Sequence, residues 1–131
     1  MKEKDKEISY EVIKNDNFLH LRYSGVWSGD TAETVIDKMI ELMAEYRQDR
    51  VLIDVRGAKY QSSMFSEYII SQKIQTTPLV KAKKIAYVDL ISRKESADNI
   101  SQMIRVFRLP IRFFFSEEDA LAWLLEDINQ S

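Results

Sequence analysis

The chain has no cysteine, one histidine, three glycines and two prolines among its 131 residues. Without cysteine there is no disulfide framework, no thiolate nucleophile and no thiolate metal site. With a single histidine, His20, no histidine–nucleophile–acid set can be assembled around it. So few glycines and prolines leave little room for long flexible loops or an interdomain linker. No run approaches the roughly 20 apolar residues a membrane-spanning helix needs. Met1 to Glu7 is almost entirely charged and lacks an apolar stretch, so it reads as a frayed start and not as a signal peptide, and the expected location is the cytoplasm. The net charge of −2 gives no general attraction to nucleic acid or anionic membrane. The phosphate-cradling, dinucleotide, nucleophile-elbow and zinc-protease motifs are all missing.

What remains is a soluble globular composition, 45% hydrophobic and 31% charged, of a length that makes one domain, taken as residues 8–131. The chain is organised around Val51-Leu52-Ile53-Asp54-Val55-Arg56-Gly57. This short apolar run, rich in β-branched residues and closed by Gly57, reads as a buried strand between two amphipathic helical patterns. Ahead of it, Ile8, Tyr10 and Val12 alternate with polar residues, as do Leu19, Leu21 and Tyr23. With Asn15-Asp16-Asn17 between them they predict a hairpin that Gly25 closes. His20 falls on the Phe18/Arg22 face of that hairpin, read as an edge strand with a surface or cross-strand role.

Asp30 to Glu33 carries a helix-start signature, and Ala32, Val35, Ile36, Met39, Ile40 and Met43 follow at helical spacing to about Gln48. Beyond the core strand the pattern predicts a second helix from Met64 to about Gln75, stopped by Pro78. It then predicts a strand around Ile85–Val88 and a helix from Ser92 to Phe107. A strand at Phe113–Phe115 and a helix capped by Ser116 complete it, the last with an apolar stripe from Ala120 to Ile128. The order ββαβαβαβα implies an α/β fold: a single mixed five-stranded sheet flanked by four helices.

Three of these stretches carry a resemblance: Leu52–Gly57, Lys84–Val88, and Phe113-Phe114-Phe115-Ser116-Glu117-Glu118-Asp119-Ala120-Leu121-Ala122-Trp123-Leu124. Together they resemble STAS-like domains, above all the SpoIIAA-like branch, which is similar in fold to STAS and CRAL-TRIO domains. The resemblance implies a non-catalytic binding or regulatory module that takes a partner protein or a small apolar or anionic ligand, with no cofactor and no metal. In anti-sigma-factor antagonists a D-S-S-G motif after the core strand carries a phosphorylatable serine. Here Ser63 falls on the first serine of that motif, Ser62 replaces its aspartate and Phe65 its glycine.

Asp54 and Asp89 fall at the carboxyl ends of predicted parallel strands, where open α/β sheets bind ligands. With Arg56 they define a small polar site: the arginine suits an anionic group, the carboxylates suit hydroxyls. The alternative is a set of ion pairs and loop caps that close the sheet end. A small enzyme or phosphoswitch would use these residues or Ser63. Trp27, between Gly25 and Gly29 in a predicted loop, is placed at a contact surface, with a lid over the core as the other reading. The apolar strands need cover on both faces. If the helices crowd onto one, a homodimer or a bound apolar ligand is expected to bury the other.

Overall fold

A computed structural model of the chain describes residues 8–13, 15–61 and 74–128. Five strands form one sheet in the order β1-β2-β3-β4-β5. They are β1 (Ser9–Ile13), β2 (Leu19–Ser28), β3 (Arg50–Gln61), β4 (Lys84–Val88) and β5 (Ile111–Phe114). β1 runs antiparallel to β2, and the other neighbours are parallel. Three α-helices lie among the described residues: α1 (Gly29–Tyr46), α2 (Lys94–Val106) and α3 (Glu117–Leu124). Single 3-10 turns occur at Pro78–Lys81 and Ile91–Arg93. The mixed sheet is the predicted one, with β3 at its centre. The expected count of four helices is corrected to three among the described residues, because the predicted Met64–Gln75 helix lies outside them as far as position 73.

Side chains alternate across each strand, and this divides the core in two. On one face Leu19, Leu21, Tyr23, Val51, Ile53, Val55 and Ile85 pack with Val35, Ile36, Met39 and Leu42 of α1 and Ile104 of α2. On the other, Phe18, Leu52, Ala86 and Val88 pack with Ala120 and Leu124 of α3. Val51, Ile53 and Val55 are 0% exposed and Leu52 1%, so the chain's own helices cover the apolar centre on both sides. The centre of the sheet therefore leaves no apolar face for a second subunit or an apolar ligand to cover. α3 is eight residues long, about 12 Å of helix, and packs over β3, β4 and β5. Toward the carboxyl end of β2 and the β1 residues paired with it, the described helices leave this second face open, and it is polar: Ser9, Glu11, Arg22 and Ser24 are all exposed there.

The two glycines that read as strand ends instead mark an irregularity inside longer strands. Arg22 pairs with Asp54 but Ser24 pairs with Gly57, so β3 holds one extra residue opposite Tyr23. At Gly57 an added Cβ would lie 3.2 Å from the Tyr23 carbonyl oxygen, a close approach that favours glycine. Gly25 takes φ 94° on the neighbouring strand. Past the bulge both strands continue, to Ser28 and Gln61.

Glycine is so scarce that neither long helix ends on one. Arg47 follows α1 with φ 54° and Arg108 follows α2 with φ 55°. Gln48 N–H donates to the Met43 carbonyl at 3.0 Å and Arg47 N–H to Ala44 at 3.3 Å. Leu109 N–H donates to Ile104 at 3.0 Å and Arg108 N–H to Arg105 at 3.2 Å. Both ends are Schellman motifs with arginine in the left-handed position.

Candidate functional site

Asp54 lies inside β3, where its pairing with β4 ends, and Asp89 directly follows β4; both are buried, at 4% and 2% exposure. Each is held by its own arginine. Arg56 binds Asp54 as a fork, Nε to Oδ1 at 2.9 Å and Nη2 to Oδ2 at 2.8 Å, and its backbone N–H donates to Oδ1 at 3.1 Å. Arg22 approaches the same carboxylate at 3.6 Å. Asp89 Oδ1 accepts from Leu90 N–H at 2.7 Å and from Arg93 Nη1 at 2.9 Å. Arg93 also donates to the Val55 and Ala58 carbonyls of β3, at 3.2 and 2.5 Å, and so ties the end of β4 to the middle of β3.

The two carboxylates respond to burial differently. For Asp54, burial alone raises the pKa, but the side-chain and backbone hydrogen bonds of Arg56 outweigh it and hold the carboxyl below its ordinary value. For Asp89, burial dominates over the Leu90 N–H and Arg93, and the carboxyl is pushed up.

A cleft of about 230 Å³ contains Asp54 and Arg56, with Arg22, Ser9 and Ser24, but Asp89 does not line it. Trp27 is on β2 and not in a loop; it is half-buried, its ring 5.4 Å edge-on from Tyr23 and 6.4 Å from Tyr87. Ser63 lies outside the described residues. Among the described residues no group of three or more acidic or histidine side chains is placed to hold a metal, and no helix is long and apolar enough to cross a membrane.

The sequence pattern does not single out Arg22, Arg93 or Glu117 for this site. Arg93 stands four residues after Asp89, a spacing that could have flagged the pair. Glu117, read only as a helix-dipole acid, reaches Arg56 at 3.5 Å. His20 is not on an edge strand: β1 lies outside it, and the ring is 7% exposed against Phe18 at 5.9 Å. Its Nε2 is buried without a hydrogen-bond partner among the described residues, and burial lowers its pKa. The Tyr23 hydroxyl is the other buried polar group without a partner among the described residues, and burial raises its pKa above the ordinary phenol value.

Comparison with known proteins agrees with this architecture. The SpoIIAA-like family model matches residues 18–125. An anti-sigma factor antagonist from Mycobacterium paratuberculosis superposes with a TM-score of 0.63 at 14% identity, over 91% of this chain and 95% of that one. An uncharacterised protein with a SpoIIAA-like fold from Shewanella loihica gives 0.58 at 17% identity, over 89% and 93%. No curated protein matches the sequence.

Proposed function

Because the chain belongs to the SpoIIAA-like family, we propose that it is a non-catalytic regulatory module that binds a protein partner at the carboxyl end of its sheet. The observation that carries this reading is how Asp54 and Asp89 are used: each buried carboxylate is engaged by an arginine of the same chain. A general base needs an accessible lone pair within reach of a substrate proton, and the Arg56 fork engages both oxygens of Asp54. Beside the closed carboxylates, Leu90 is 38% and Ile91 65% exposed. Apolar side chains next to a rigid, charge-paired rim have the make-up of a protein contact, with the accessible edge of Trp27 at the same end of the sheet. The anti-sigma factor antagonist fold adds support, since that protein's name describes action on another protein.

The test is affinity capture from an extract of the source organism with the wild-type chain and with Ile91→Glu, alongside native mass spectrometry for subunit count and retained mass. One retained protein that Ile91→Glu releases, with an unchanged melting curve, supports the reading. Equal capture by both forms would move the contact elsewhere. Substrate turnover abolished by Asp54→Asn in a folded variant would replace the module with an enzyme.

A further inference from the structure

The open polar part of the second sheet face carries an alternating chain of charges. Glu11 lies 3.7 Å from Arg22, Arg22 3.6 Å from Asp54, Asp54 2.8 Å from Arg56, and Arg56 3.5 Å from Glu117. Its members are not equally satisfied. Arg56 is locked on Asp54 by two short hydrogen bonds. Arg22 has only its two ion contacts, both beyond hydrogen-bond length, and no hydrogen bond to a described residue. Its side chain is 49% exposed and lines the cleft, so N–H donors beyond those nearest Glu11 and Asp54 are accessible there. Beside it the Ser9 and Ser24 hydroxyls share one hydrogen bond at 2.9 Å, which leaves one hydroxyl hydrogen of the pair free to donate. Gly57, without a side chain, leaves the cleft open on the β3 side.

We infer that this cleft is a binding site for a small monocarboxylate, gripped by the Arg22 guanidinium and completed by a hydroxyl of the Ser9–Ser24 pair. The guanidinium fork matches a carboxylate in geometry and charge, and such bidentate pairs are among the stronger hydrogen-bonded contacts. The charge balance of this cluster ranks monoanions above dianions. Two arginines face three carboxylates, so the chain is already one charge negative, and a dianionic phosphate meets more repulsion than a monoanion. The monoanion takes over the position of Glu11, the most exposed member at 64%, which is free to turn to solvent. A cleft of about 230 Å³ admits a molecule of a few heavy atoms and not a folded segment. This inference does not depend on the protein contact proposed at Leu90 and Ile91.

The experiment is a two-dimensional NMR titration of the full chain at neutral pH and constant ionic strength. The probes are propionate, its neutral isostere propionamide, and inorganic phosphate. The expected result is saturable shifts with propionate at the Arg22 Nε–H and the Ser24 and Gly57 amides, with propionamide silent and phosphate weaker. Arg22→Gln should weaken propionate roughly tenfold or more. If that variant fails to fold, Arg22→Lys, which keeps the charge and loses the fork, should show the same direction. Non-saturating shifts spread over Lys83 and Arg105, equal response to propionamide, or unchanged affinity in Arg22→Lys would overturn the assignment.

Discussion

Arg50 and Lys84 stand directly opposite each other in the β3–β4 ladder, and both donate to backbone carbonyls at the end of α3. Arg50 Nη1 reaches the Leu124 carbonyl at 2.6 Å and Lys84 Nζ the Trp123 carbonyl at 2.7 Å. Like charges directly across a sheet repel. Here they are offset by the negative end of the helix and by Asp127, which Arg50 binds at 2.8 and 3.1 Å and Lys84 approaches at 3.4 Å. These contacts hold the Asp127 carboxyl well below the usual range, Arg50 foremost. The arrangement seats a helix too short to be stable alone. Arg50→Ala should cost about 2 kcal/mol in urea unfolding, since it removes charge-assisted bonds from a side chain only 12% exposed. Combined with Lys84→Ala the losses should not add, because both residues share Asp127. Strict additivity in the double-mutant cycle would show that they act separately.

Periodicity made the centre of this fold readable. Ile53, flanked by apolar neighbours and 0% exposed, had only one plausible place. The ends were less legible. Gly25 and Gly57 look like terminators because glycine weakens strands, yet here they serve a bulge whose existence depends on the pairing of two strands far apart in sequence. The last apolar stripe was read through Ile128, but α3 stops at Leu124 and Ile128 is 42% exposed. Of the site, Asp89 lies just past β4, as an acid after an apolar run predicts, whereas Asp54 lies inside β3, which runs on to Gln61. The Asp54–Arg56 pair is the ion-pair alternative that the sequence offers, whereas the Arg93 that holds Asp89 is set by side-chain reach across the sheet end. His20 was misplaced because alternation gives a residue's face but not what lies on that face.

The helix ends offer a stabilising change. Arg47 and Arg108 hold left-handed backbone, which costs an L side chain on the order of 1 kcal/mol. Both are exposed, and neither guanidinium has a hydrogen bond or ion pair to a described residue. Glycine removes the strain but adds unfolded-state entropy, so part of the gain is lost. Arg47→Gly/Arg108→Gly should gain about 1 kcal/mol in total, a rise in melting temperature of roughly 3 °C by calorimetry. A fall would mean that helix propensity or the side chains outweigh the backbone term.

Asp54 and Asp89 should leave opposite marks on stability against pH. Asp54 is held below its unfolded value of 3.8, so its contribution is present above that pH and lost as pH falls through the folded value. Asp89 is raised above 3.8, so its contribution is present below that pH and lost as pH rises through the folded value. Relative to Asp54→Asn, the wild type should gain stability as pH rises through the acid range; relative to Asp89→Asn, it should lose stability. Matched urea melts from about pH 2 to pH 7 read both differences. The same sign for the two variants would contradict the assignment of Arg56 as the stronger partner.

Trp27 separates packing from recognition. Its ring lies edge-on to Tyr23, whose 2% exposure places it in the core, and near Tyr87, itself stacked on Phe113 at 5.0 Å. Removing a half-buried tryptophan from such a row forfeits ring contacts and leaves a gap, so Trp27→Ala should cost about 2 kcal/mol, below the 3–5 of a fully buried site. Trp27→Phe keeps a ring facing Tyr23 and should recover more than half of that. If the accessible edge of the indole also touches the partner, Trp27→Phe should weaken capture more than it weakens the fold, because a smaller ring loses the outer edge first. Denaturation and capture measured on the same preparations distinguish the two roles. Full capture by a Trp27→Phe protein would confine Trp27 to the core and leave the partner contact to Leu90 and Ile91.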